Sequence, residues 1–157
     1  MIGDMATTRV VGQFALVYLV YNTIQNLLEQ AEQVDCFRNA AAHLAPGGCF
    51  VIESGVPALR RLPPGATAVP FDVSERHLGF DTFEIAEQRM TSHHYFTSDD
   101  GTTIRGASHH RFVWPAELDL MAQIAGLHLR ERWGDWSRTP FTDDSESHIS
   151  VWAKPFR

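Results

Sequence analysis

Cysteine is scarce and unpatterned: Cys36 and Cys49 are the only two in 157 residues. Two thiols make neither a disulfide framework nor a thiolate zinc site. Both read as small buried hydrophobes, and a reducing, cytoplasmic compartment is the expected setting. Positive charge is thin as well, with 13 Lys and Arg against 19 Asp and Glu, a formal charge of −6, and no dense basic run. Nucleic-acid affinity is built by neutralising phosphates, so no nucleic-acid partner is expected. The longest apolar run, Phe14 to Tyr21, is eight residues, against the roughly twenty that span a bilayer. The opening Met-Ile-Gly-Asp-Met lacks the charged-then-apolar pattern of a signal peptide, so neither membrane nor export is expected. Glycine-rich phosphate loops, Gly-x-Ser-x-Gly elbows and His-Glu-x-x-His zinc motifs are all missing, which removes the common nucleotide-binding and hydrolase signatures.

What is present suits a single globular domain. Hydrophobic residues make up 44% of the chain and charged residues 20%, and a chain of this length buries roughly 68–70% of its unfolded surface. The run FALVYLVY from Phe14 to Tyr21 is continuous rather than alternating, the pattern of a parallel strand covered on both faces. From about Gln30 to Leu44, Val34, Phe37, Ala41 and Leu44 recur at steps of three and four, and Pro46-Gly47-Gly48 ends this amphipathic helix. Cys49 to Glu53 is a second apolar strand, completing a βαβ unit whose crossover should be right-handed.

Beyond Pro57 the texture changes. A loop rich in proline and glycine, Pro57 to Pro70, leads into alternating segments that predict antiparallel sheet. Met90 to Phe96 and Thr103 to Val113 flank Asp99-Asp100-Gly101, where glycine supplies the positive φ of a tight hairpin turn. Pro115 opens a helix lined by Leu118, Met121 and Ala125, and Gly126 closes it. Leu127 to Trp133 and His148 to Lys154 form a terminal strand pair, joined by the polar loop GDWSRTPFTDDSES. The expected organisation is one domain in three parts: 1–56 as the βαβ part, 57–114 as an antiparallel insertion placed as a lid, and 115–157 as helix and hairpin.

Eight histidines is generous for this length, and four are paired as neighbours, His93-His94 and His109-His110. On facing strands of one hairpin a member of each pair can meet across the ladder, to bind a metal or share a proton. No carboxylate or cysteine stands nearby at a ligand spacing, so no metal is expected, and half-exposed histidines on a polar sheet face are the plainer reading. Ser145 and Ser147 beside His148 read as turn chemistry rather than a nucleophile and its base.

Four segments carry a resemblance. GDMA, FALVYLVYNTIQNLL, EQVDCFRNAAAHLAPGGCFVIES and RWGDWSRTPFTDDSESHISVW resemble, in order and spacing, the C-terminal portion of a class I S-adenosylmethionine-dependent methyltransferase, across nearly the whole chain. Leu-x-Pro-Gly-Gly followed by an apolar strand is the most specific of them. The resemblance implies an α/β fold, part of a Rossmann-like methyltransferase sheet with an added antiparallel lid. It implies S-adenosylmethionine as cofactor and a small-molecule methyl acceptor. It places adenine on the Asp4 carboxylate and the Met5 backbone, and floors the sulfonium with Val20, Tyr21 and Asn22; without it, Asp4 reads as a turn or N-cap residue.

Such enzymes begin with a glycine-rich turn and a ribose-binding acid that this sequence lacks, so Met1 and Ile2 are expected to end the family's third strand and the chain to be a truncated form. Ala15 stands where the family frequently has aspartate. If the acceptor must lose a proton, Glu53, His93, His94, His109 and His110 are the candidates. The alternative is a non-catalytic module that self-associates or binds another small ligand. A homo-oligomer is expected in either case, because Phe14 to Tyr21 would be left as an apolar edge.

Overall fold

The computed structural model describes residues 2–156. The chain divides into two units, the first made of the segments up to Pro57 and from Val113 onward, the second of Ala58–Phe112.

In the first unit, β1 (Phe14–Leu19), α1 (Gln30–His43) and β2 (Leu44–Gly55) form the expected βαβ unit, with β1 and β2 parallel. The second unit supplies β3 (Ala68–Val73), β4 (His77–Glu84), β5 (Arg89–Thr97) and β6 (Thr103–Arg111), after which α2 (Pro115–Ile124), β7 (His128–Trp133) and β8 (Ser147–Ala153) return to the first. The first sheet has the order β1-β2-β8-β7, with β8 antiparallel to both neighbours. The protein is therefore α/β, as the apolar patterning predicts.

Helix α1 starts where Glu29 and Glu32 form a reciprocal capping box, which satisfies two N-terminal N–H groups and puts an acid in the positive first turn. It ends at His43, and β2 begins at once, so Pro46-Gly47-Gly48 lies within the strand rather than in a connecting loop. Gly47 is required there: its φ is 78°, and a Cβ would run into the Phe156 ring. The far end of the chain also closes the helix, because Lys154 Nζ donates to Ala41 O at 2.8 Å and Leu44 O at 2.7 Å. Between helix and sheet, Phe37 meets Phe50 and Trp152 edge-on, with ring centroids 5.0 and 5.2 Å apart. Ile24, Leu44, Ile52, Val113, Leu118 and Met121 complete this core. Asp119 of α2 ties the helix to the sheet by accepting from Arg132 Nη2 at 2.7 Å and Trp152 Nε1 at 2.9 Å.

Four expectations need correction. Strand β1 is the sheet edge that was expected, but it is not covered on both faces: Phe14, Leu16 and Tyr18 are exposed, and only Val17 and Leu19 turn towards the core. Ile2 belongs to no strand and is exposed, while Met1 lies outside the described residues. Cys36 is buried as expected, but Cys49 is only half-buried, facing the Arg130 guanidinium at 3.7 Å. The segment after Pro57 yields a four-stranded antiparallel sheet rather than one hairpin, because β3 and β4 add to the β5-β6 pair. The hairpin itself forms as read, with Gly101 at φ 81° and Asp100 Oδ1 accepting from Thr102 N–H at 2.9 Å. No helix among the described residues is long and apolar enough to cross a membrane.

Candidate functional site

The carboxyl ends of β1 and β2 build a rim, the usual ligand side of such a sheet. Directly after β1, Tyr21 and Asn22 are both left-handed, at φ 59° and 61°. For a bulky aromatic this is a strained conformation that persists only when neighbours over-determine it. They do so here. Glu53 Oε2 accepts from Tyr21 N–H at 3.0 Å, Glu53 O accepts from Asn22 N–H at 3.3 Å, and Asn22 Oδ1 accepts from Gly55 N–H at 2.6 Å. The result holds the Tyr21 ring out, 88% exposed. Beneath it, buried Gln25 donates to Ser54 Oγ at 3.0 Å.

The long loop between β7 and β8 delivers a further residue that the sequence did not single out. Asp135 Oδ1 accepts from Ser137 and Thr139 N–H and Oδ2 accepts from the Thr139 hydroxyl at 2.7 Å; these bonds hold its carboxyl below the usual carboxylate range. The loop so fixed sets Trp136 Nε1–H 3.1 Å from Glu53 Oε1. Both Glu53 oxygens are therefore hydrogen-bonded, and the side chain acts as a brace for the rim. A tryptophan inside an otherwise polar turn was the available signal.

A second element lies along β1. Asp4 Oδ1 accepts from Ala6 N–H at 2.7 Å and Thr7 N–H at 3.1 Å, a turn that places Met5 against α1. There Asn39 Nδ2 donates to Met5 O and Thr8 O, and His43 Nε2 accepts from Val10 N–H at 2.9 Å. Met5, Val17, Leu19, Cys36, Asn39 and Phe50 line a cavity of about 260 Å³. Its lining is almost wholly apolar, yet Asn39 Oδ1 is buried there without a partner. Burial, helped by the charge of Asp4, pushes the Cys36 thiol up to about 12, so it is neutral and unreactive. Met5 and Leu19 thus share a lining, with Val20, Tyr21 and Asn22 following directly on Leu19.

No family model matches the chain. The cypemycin N-terminal methyltransferase of a Streptomyces species is 29% identical over 154 residues, covering 95% of this chain and 62% of that protein. The structure of the CcbJ methyltransferase of Streptomyces caelestis matches at TM-score 0.86 and 34% identity, over 98% of this chain and 62% of its own. The chain is related to S-adenosylmethionine-dependent methyltransferases and has their fold. It spans a little over three-fifths of the length of these relatives. The fold extends to CalS10, an amino pentose methyltransferase from Micromonospora echinaspora solved with S-adenosylmethionine bound, at TM-score 0.69 and 20% identity.

Within this methyltransferase fold the paired histidines do not meet as expected. His93 lies opposite Ala107 and His94 opposite Gly106, whereas His109 and His110 lie opposite Thr91 and Met90. The pairs are offset by three rungs of the ladder, because the hairpin turn sets the register. His109 instead meets the Thr91 hydroxyl at 3.1 Å, His93 meets that of Thr82 at 3.0 Å, and His94 meets His77 on β4. Burial lowers the His110 pKa, which favours the neutral imidazole, and its Nε2 lies 2.8 Å from the Ser108 hydroxyl.

Proposed function

We propose that these 157 residues form part of an S-adenosylmethionine-dependent methyltransferase acting on a small molecule, and that the glycine-rich turn of the complete enzyme lies outside this sequence. The observation that carries the reading is the CcbJ match, 34% identical across 98% of the chain. An amine acceptor is favoured by relatives named for an N-terminus and an amino sugar.

The residues present suit one end of the cofactor. A cavity of about 260 Å³ falls just below the roughly 300–1,000 Å³ of ligand pockets, so it takes a flat ring and not a whole nucleoside with its side arm. The unpartnered Asn39 Oδ1 in the cavity lining accepts an N–H donor of the kind adenine carries, and the Asp4 carboxylate, one residue before Met5 and outside that lining, is the further acceptor. Met5 supplies apolar contact, and Val20, Tyr21 and Asn22 floor the reacting end. When bound, S-adenosylmethionine supplies a methyl group on a sulfonium, already a good leaving group. What remains for the chain is to orient and to exclude water: the over-determined Tyr21-Asn22 turn, braced by Glu53 and Trp136, holds its ring without reorganisation.

The cofactor contacts that this chain lacks are hydrogen bonds to charged groups, each worth about 1.5–3 kcal/mol. Calorimetric titration of the 157-residue chain should therefore give no affinity tighter than about a millimolar, while a form extended upstream in its own reading frame binds. In the extended form, Asp4→Ala should weaken binding about tenfold. Tight binding by the short chain, or full affinity in the extended variant, would overturn the assignment.

A second reading rests on the exposed apolar side of β1, where Leu16 and Tyr18 are 52% and 61% exposed. An edge of this kind recruits a partner strand. The isolated chain should sediment as an oligomer at tens of micromolar, and a well-folded monomer would remove this reading.

A further inference from the structure

The second unit carries a chain of hydrogen bonds that methyl transfer as proposed above does not use. Asp72 Oδ2 lies 2.7 Å from His77 Nδ1, and His77 Nε2 lies 3.0 Å from His94 Nδ1. The chemistry of the first link fixes the rest. A carboxylate only accepts, so His77 carries its proton on Nδ1 and, when neutral, presents a lone pair at Nε2. His94 must then donate from Nδ1, which leaves the lone pair of His94 on Nε2. The rings are held by stacking: His77 lies 4.3 Å from the Phe96 centroid and nearly parallel to it, and Phe71 packs 5.2 Å from His94.

His94 stands between two glycines in the ladder, Gly79 on β4 and Gly106 on β6. The Gly79 side is filled, since a Cβ there would strike the Phe71 ring. The Gly106 side is open, since a Cβ there would touch only the Cβ of His94. The imidazole itself leans the other way, with Nδ1 towards His77 on β4 and the ring against Phe71 on β3. The charged groups around it are few. Asp72 faces from β3, Arg76 before β4 is paired with Asp99, Asp81 on β4 accepts from the Ser92 hydroxyl at 2.6 Å, and β6 places only Gly106 opposite His94.

We propose that Asp72, His77 and His94 form a proton relay ending at His94 Nε2, and that it accepts the proton of an ammonium or hydroxyl group on a small molecule. The ligand's N–H or O–H bond breaks, the ligand keeps the electron pair, and the proton bonds to His94 Nε2. The His94 Nδ1 proton passes to His77 Nε2. The positive charge comes to rest on His77, against the Asp72 carboxylate and the face of Phe96, where both stabilise it. The relay goes beyond the methyl-transfer reading and stands on the geometry of the second unit alone.

The test is long-range proton–nitrogen NMR on the histidine-labelled chain, with 2-aminoethanol as probe. His77 and His94 should both be protonated on Nδ1 in their neutral forms, and 2-aminoethanol should shift His94 Nε2. Asp72→Asn should slow acylation of His94 by diethyl pyrocarbonate about tenfold, the loss of one charge-assisted hydrogen bond, and leave exposed His128 unaffected. His77→Gln should do the same, and replaces Asp72→Asn if that variant unfolds. A neutral His94 protonated on Nε2, no shift of His94 Nε2 with 2-aminoethanol, or acylation unchanged in both relay variants would overturn the proposal.

Discussion

The two units are held together by different means. The first packs two helices on a mixed sheet around Phe37, Phe50 and Trp152, all fully buried. The second is a meander of four strands in which Phe83 and Phe112 are the buried large hydrophobes. Elsewhere its strands meet through rings and polar pairs, such as Phe80 stacked on His93 at 4.8 Å and Ser92 donating to Asp81. A core stabilises through apolar area and tolerates no charge, whereas a laddered sheet sums many small cross-strand terms. Single substitutions should therefore be severe in the first unit and mild in the second.

The largest effect is expected from Phe37→Asp and Leu44→Asp, each placing an unpaired carboxylate where exposure is zero. Each should cost several kcal/mol, enough to abolish a cooperative thermal transition. Wild-type melting in either variant would mean that the buried face of α1 is misread.

An intermediate effect is expected from pH, through His148. This imidazole is fully buried, sits near the Arg132 cation, and has no partner for Nε2. Burial first and Arg132 second push its pKa down to about 4, against an ordinary 6.5. Between those values the unfolded chain binds a proton that the folded one refuses. Stability contributed by His148 is therefore complete above pH 6.5, declines as pH falls below it, and levels off below about 4. The total is about 3 kcal/mol. His148→Gln should flatten this slope in melts taken between pH 4 and 7.5, and an equal slope in the variant would exclude His148 as its source.

The smallest effect belongs to the second unit. Ser92→Ala removes the bond to Asp81 and should cost no more than about 1 kcal/mol, because the carboxylate left behind is reached by water. A loss as large as that of Phe37→Asp would show that the ladder is as cooperative as the core.

The same contrast governs what the sequence disclosed. The βαβ unit was legible because FALVYLVY, the Phe37 stripe and CFVIE carry strong apolar periodicity, and hydrophobic patterning reports burial directly. The β5-β6 hairpin was legible through Asp-Asp-Gly. Strands β3 and β4 were not, since their residues alternate weakly and rely on neighbours for cohesion. An apolar run also says what a strand can bury, not what stands against it, which is why β1 was read as an edge strand and yet as covered on both faces. Asp4, Met5 and Tyr21-Asn22 were singled out by resemblance alone, while Trp136, which reaches Glu53, was hidden in a polar loop. His94 was seen, but its partner His77 lies 17 residues upstream on a strand that gave no signal.

Lys154, three residues from the carboxyl end of the sequence, donates to carbonyls at the end of α1 more than a hundred residues earlier. A helix left without such a donor frays at its last turn. The final turn of α1 is therefore completed by Lys154 once β8 has docked, which couples a local element to a strand synthesised about a hundred residues later. During synthesis the helix would wait, half-closed, until more than a hundred further residues had left the ribosome.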